Sequence, residues 1–208
     1  MKKILVSYTA MICGLVLLFL SFLGPWYTIN ATGILGADYH AGFYLTQMEL
    51  QRIIGNQEIS LSLDYADAEM YMQDINVNVE SFALIETAMY LTLLALGTAV
   101  TAIGVMTAFI LKKGKQRIMK FGCVFFSLLT FLLTMVLALY FMTGDFVENT
   151  SDFWFSFTAL GINVSGGPGY AWYLMIVVAV LAVLSAAILL FMKTSNSEVA
   201  DKKTTISP

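Results

Sequence analysis

Charge is scarce in this sequence, and where it occurs it is sorted by position. Asp, Glu, Lys and Arg make up 12% of the 208 residues, about half the share found in a soluble domain. Cysteine, histidine and proline are scarcer still, at two, one and three residues. Each shortage excludes a class of chemistry. Cys13 and Cys123 both lie in the middle of long apolar runs. No loop disulfide is therefore expected, nor thiol–quinone exchange at a membrane surface. A single histidine, His40, cannot build a His-rich metal site, and it reads as a surface or interface residue. The HExxH, CxxC, GxSxG and phosphate-loop patterns are all missing. Pro25, Pro168 and Pro208 fall outside every long apolar run, so the broken helices of many transporters are not expected. No Asp, Glu, Lys, Arg or His lies well inside those runs, which removes the usual proton relay. The expectation is a non-enzyme with no cofactor, no metal and no nucleic-acid partner.

What is abundant is apolar surface, at 59% of residues. Four uncharged stretches carry most of it: Ile4–Leu23, Thr87–Leu111, Phe121–Gly144 and Tyr170–Met192, of 20, 25, 24 and 23 residues. A bilayer core of about 30 Å needs about 20 helical residues, so each stretch qualifies as a span. The predicted spans are 4–24, 84–111, 121–144 and 170–192. They leave a long loop at 25–83, a short turn at 112–120, a second loop at 145–169 and a tail at 193–208. Lys2 and Lys3 give the first stretch the look of a leader. Its length and the Ser21-Phe22-Leu23-Gly24-Pro25 sequence after it favour a retained span.

Ten of the eleven Lys and Arg residues lie before the first span, in the 112–120 turn or after the fourth span. The positive-inside rule then puts both termini and that turn in the cytoplasm. The two loops on the other side hold or border twelve acids against Arg52, a formal −11. The Asn-x-Ser/Thr sequons at Asn30, Asn149 and Asn163 fall in the same two loops and are candidate glycosylation sites.

Those loops read as folded. Ile59–Leu63 and Ile75–Val79 alternate apolar and polar residues, as half-buried strands do. Trp26–Ile29, Gly42–Leu45 and Phe153–Phe157 are strand-like, Ile162–Val164 completes a hairpin through Gly161, and Gly166–Gly169 is expected to break structure. Asp64–Asp67 has turn character. Asp64, Asp67, Glu69 and Asp74 are close in sequence without EF-hand spacing and read as a solvated acidic face. Trp26, Tyr27, Trp154, Trp172 and Tyr173 read as an interfacial aromatic belt. Thr92, Gly97, Thr98, Thr101 and Gly104, with Ala179, Ala182, Ser185 and Ala186, read as small positions where helices pack inside a bundle.

The fold class that follows is a mainly α membrane protein: a four-transmembrane-helix bundle with a small extracellular antiparallel β-sheet from the two outer loops. Trp26 after the first span and Gly42-Phe43-Tyr44, in place of Gly-Leu-Trp, resemble the first-loop pattern of the claudin and peripheral-myelin-protein superfamily. The two cysteines of that pattern are missing, as is the Arg often found before the second span. The resemblance implies four helices, cytoplasmic termini and an outer antiparallel sheet. A folded outer domain on a bundle without reactive groups leads to the expectation of a plasma-membrane structural or interaction protein, whose extracellular sheet binds a partner chain, a cell surface or an envelope layer. Interface candidates are Trp26, Phe43, Tyr44, Asp64, Asp67, Glu69, Asp74 and Trp154. The expected partners are the lipid bilayer and a protein, or a second copy of the chain, met through the sheet or the helices. Two alternative roles are an accessory subunit of a larger membrane transporter or enzyme, and a small-molecule channel or carrier.

Overall fold

The computed structural model describes residues 2–34, 36–68, 80–111, 116–143, 153–159 and 161–192. Four helices, α1 (Lys2–Leu23), α2 (Glu80–Ile110), α3 (Gln116–Phe141) and α4 (Tyr170–Leu190), are joined on one side by a six-stranded sheet. Its strands are β1 (Tyr27–Ile34), β2 (Ala37–Phe43), β3 (Gln47–Ile54), β4 (Gln57–Asp64), β5 (Phe155–Ala159) and β6 (Ile162–Pro168). All four helices are long and apolar enough to cross a membrane.

The helices form a ring of neighbours in the order α1, α2, α3, α4, with α4 back against α1. The buried positions of each helix follow alternating steps of three and four. On α1 they are Ile4, Ser7, Met11, Gly14, Leu18 and Ser21; on α2, Ala88, Thr92, Ala95, Ala99, Ala102 and Met106. On α3 they are Cys123, Ser127, Thr130, Thr134, Leu137 and Phe141; on α4, Ala171, Met175, Val178, Ala182, Ser185 and Leu189. A seven-residue repeat of this kind keeps one seam facing its partners along a left-handed bundle. Small side chains dominate the seams and let the backbones approach closely. Most hydroxyls there satisfy one another or the backbone: Ser7 and Ser185 share a 2.6 Å hydrogen bond, and Thr98 and Thr130 one of 3.0 Å, while the buried Ser127 hydroxyl has no hydrogen-bond partner among the described residues. Gly97, Thr101 and Gly104 are not part of the inner surface. They lie on the exposed side of α2, because the inner stripe passes through Ala95, Ala99 and Ala102.

The sheet order is β4-β3-β2-β1-β6-β5, with every pair antiparallel. The first long loop supplies four strands and the second supplies two, so β1 pairs on both sides. Three differences from the sequence reading have local causes. β3 was not anticipated, because Gln, Met, Glu, Leu and Arg favour helix when read locally. Strand β6 continues through Gly166, Gly167 and Pro168. There the glycines make room for rings, since a Cβ at Gly166 would sit 2.3 Å from the Phe155 ring. Helices α2 and α3 start earlier than expected and α3 stops at Phe141, so 116–120 belongs to a helix and not to the turn. Residues 65–68 form a helical turn, capped where the Asp67 N–H donates to Asp64 Oδ1 at 2.8 Å. The expected strand at Ile75–Val79 lies outside the described residues.

Sheet and bundle meet where α1 runs into β1 and β6 runs into α4. Gly24 and Pro25 end α1. The Trp26 N–H then donates to Phe43 O at 2.7 Å, the Gly169 N–H to Trp26 O at 2.8 Å and the Ala171 N–H to Pro25 O at 3.2 Å. Trp26 is fully buried, edge-on to Phe141 at 5.1 Å, with its indole N–H on Ser21 O at 2.9 Å. Tyr27, Phe153 and Trp172 are buried around it. Of the aromatics expected in an interfacial belt, Trp26, Tyr27 and Trp172 are therefore core residues, and only Trp154 and Tyr173 are exposed.

A Cβ at Gly169 would lie 2.1 Å from the Pro25 carbonyl oxygen. Gly169→Ala must part the two backbones and should destabilise the fold by about 1–3 kcal/mol. Gly97→Ala, in open space within a helix, should leave stability unchanged or raise it by up to about 1 kcal/mol. Denaturant unfolding of both variants in detergent micelles checks the contrast, and equal stabilities would contradict it.

Candidate functional site

The strands leave the helix ends at their roots and turn back at hairpin tips, where Gly36, Gly55 and Gly161 take positive φ of 78°, 59° and 81°. Alternation along each strand, with the pairing register, sorts the side chains onto two faces. One face is apolar. Tyr27, Phe43, Met48 and Leu63 sit at its root, followed by rows such as Phe155, Ile29, Ala41, Leu50 and Leu61. The root half is buried in the core, whereas Ile59 and Leu61 are 58% and 51% exposed. The outer half forms an open concavity of about 510 Å³. Arg52, the only base of either loop, lies on this face with its guanidinium 5.5 Å from the Tyr39 ring centre.

The other face is polar. One row runs Ser156, Ser165, Asn30, His40, Gln51, Ser60 across all six strands, and the next holds Gly167, Thr28, Gly42, Glu49 and Ser62. A pocket of about 230 Å³ lies between Thr28 and Glu49 and extends to Asn30, His40, Tyr44 and Gln51; the lack of a side chain at Gly42 lets the Tyr44 ring lie against the strand, 3.1 Å from where a Cβ would stand. Its groups are already ordered. The Tyr44 hydroxyl donates to Glu49 Oε2 at 3.0 Å and the Gln51 amide to Glu49 Oε1 at 3.1 Å. His40 Nδ1 lies 2.6 Å from Asn30 Oδ1; an amide oxygen only accepts, so the ring nitrogen donates. Burial, then the hydrogen bond to Glu49 and its negative charge, pushes the Tyr44 phenol up to about 12. Tyr27, whose hydroxyl donates to Phe153 O at 3.0 Å, is pushed to about 12 by burial. Burial also raises Tyr65, which donates to the Tyr44 carbonyl.

The interface candidates separate on this frame. Trp26 and Phe43 are buried within the chain and present no surface to a partner. Tyr44 is half-buried at the polar pocket, and Trp154 is exposed beside Gly167. Asp64 and Asp67 are exposed together at the end of β4. Glu69 and Asp74 lie outside the described residues, as does the sequon residue Asn149. Asn30 stands on the central strand inside the polar pocket, where a glycan would fill it. Asn163 is exposed on β6, accepting from the Thr158 hydroxyl at 2.6 Å. The pocket residues Glu49 and Gln51 were not singled out from sequence, because their strand was not. The period-2 placement of Met48 and Leu50 against Glu49 and Gln51 was the available signal. Among the described residues no cluster of three His, Cys, Asp or Glu side chains could hold a metal ion. The arrangement is one for recognition by hydrogen bonding and charge.

No protein-family model matches the chain, and a search of curated proteins finds no match.

The fold favours the neutral phenols of Tyr27 and Tyr44, so their contribution to stability is complete below pH 10. It is lost as pH rises from 10 towards 12. Denaturation midpoints should fall across that interval, and Tyr27→Phe and Tyr44→Phe should each flatten the fall. A midpoint independent of pH there would contradict the burial of both groups.

Proposed function

We propose that the chain is a multi-pass membrane protein of claudin-like build, with both termini in the cytoplasm, and that its outer sheet binds another protein at the plasma membrane. The observation that supports this reading is the sheet itself. It is a six-stranded platform projecting from a bundle whose buried polar side chains are hydroxyls, most of them in mutual or backbone hydrogen bonds. The outer half of its apolar face is uncovered among the described residues. Edge strand β4 is eight residues long, and Gln57 to Leu61 are all exposed. An edge of this length without Lys, Pro or a bulge invites pairing, and contiguous exposed apolar surface marks an interaction site. The charge sorting supports the orientation, and the acidic surplus on the sheet side would steer a basic partner.

A second reading, an accessory subunit docked through its helices, draws on one observation. Gly97, Thr101 and Gly104 form an outward small-residue stripe on α2, a surface suited to another helix in lipid.

In intact cells, a cysteine introduced at Asp67 should react with an impermeant reagent added outside, and one at Gly114 should not. Reaction at Gly114 would overturn the orientation. A photo-crosslinker replacing Ile59 should capture a protein partner, while one replacing Gly97 should capture only lipid. Capture from Gly97 with none from Ile59 would move the function to the helices.

A further inference from the structure

We infer that the polar-face pocket of the sheet receives a basic side chain, the guanidinium or ammonium group of an Arg or Lys on the bound partner. The inference rests on the sheet being a protein-binding surface and adds the chemistry of one contact on it.

Glu49 is the one charged group among the residues that line the pocket. Its carboxylate is half-buried at the pocket floor and takes one hydrogen bond on each oxygen, from Tyr44 and from Gln51. A carboxylate has about four acceptor sites, so each oxygen keeps one open. The loops that build the sheet contain a single base, and Arg52 is spent on the opposite face over Tyr39. Glu49 thus has donors from its own chain and no cation beside it among the described residues. A partly desolvated carboxylate gains most from a charge-assisted donor.

Two further groups of the lining, His40 and Thr28, add acceptors, while the Asn30 and Gln51 amides add neutral N–H donors. His40 uses its Nδ1 proton on Asn30, and in the Nδ1–H tautomer Nε2 is an acceptor. Thr28 points its proton towards Gly167 O at 3.5 Å and keeps its oxygen lone pairs. Acceptors around one carboxylate match a donor-only cation. Lysine ammonium brings three donors and arginine guanidinium five, and neither accepts. An anion would meet Glu49 and is excluded. The room, about 230 Å³, suits one long side chain entering from above. The fixed positions of Tyr44 and Gln51 mean that little ordering remains to be done when the guest arrives.

The test uses the full chain in zwitterionic lipid nanodiscs and two hexapeptides of glycine and serine. One carries a central arginine and the other the isosteric, uncharged citrulline. The arginine peptide should bind about tenfold or more tightly than the citrulline peptide. Glu49→Gln should remove most of that advantage. Asp64→Asn and Asp67→Asn, which delete the same unit charge at the end of β4, should each change binding less than about twofold. Tyr44→Phe, which keeps the ring and the carboxylate, should weaken binding less than Glu49→Gln does. Equal losses from Glu49→Gln and Asp64→Asn would reduce the effect to the general acidic field and overturn the inference. Equal affinity for the two peptides would make the pocket a site for neutral donors, sugars included, and would overturn it too. So would the absence of arginine-peptide binding. If Ile59 crosslinking to a partner persists in either case, the partner-binding role of the sheet stands and only the basic contact falls.

Discussion

The fold depends on a backbone crossing of a few residues. The chain leaves α1 through Gly24-Pro25-Trp26 and returns to α4 through Gly169, and the two segments touch with no side chain between them. That contact makes β1 and β6 neighbours, because each begins or ends there. It also makes α1 and α4 neighbours, because each continues from it on the other side. The β1–β6 strand pair and one helix pair are thus consequences of a single close approach. Trp26 is buried at this crossing with its indole against Phe141, and Phe141 packs on Phe153, which in turn meets Tyr27 and Trp172. Aromatic contacts of this kind add about 0.5–1.5 kcal/mol each beyond burial, so the junction is a rigid root for the sheet and not a hinge.

The helices obey a different constraint. In lipid no hydrophobic force tells an inward face from an outward one, so packing and a few hydroxyl bonds choose the seam. Alanines and serines line the inside while Leu5, Phe19, Leu94, Phe121, Leu132 and Val180 stand outside. This is why the existence of four helices was legible in the sequence and their faces were not. A run of twenty apolar residues announces a span by composition alone. Which glycines and threonines of α2 turn inward depends on a seven-residue register that apolar residues all around the helix conceal. Gly97, Thr101 and Gly104 were assigned to the inside for being small, and they lie outside.

In the sheet, the strands that alternate clearly, such as Ile59–Leu63, were legible. Strand β3 was not, because Arg52 occupies an apolar-face position and the flanking residues favour helix. The end of β6 was hidden by a rule that usually holds: Gly-Gly-Pro breaks a strand unless a ring needs the space, and here Phe155 and Trp154 do. The candidate pocket shared the fate of β3. His40 could be seen alone, but Glu49 and Gln51 join it only once the β2–β3 register is known. Asn30, noticed as a sequon, turned out to stand among them.

The most direct test of the account is amide hydrogen exchange on the full chain in lipid nanodiscs, resolved to single residues. If the crossing welds sheet to bundle, the amides of Trp26 and Gly169 exchange as slowly as those of Ala95 and Ala182 in the helical seams, while the amides of Gly36, Gly55 and Gly161 at the hairpin tips exchange freely. If Trp26 and Gly169 exchange at the rate of the tips, the sheet is not anchored at that junction and the account is wrong.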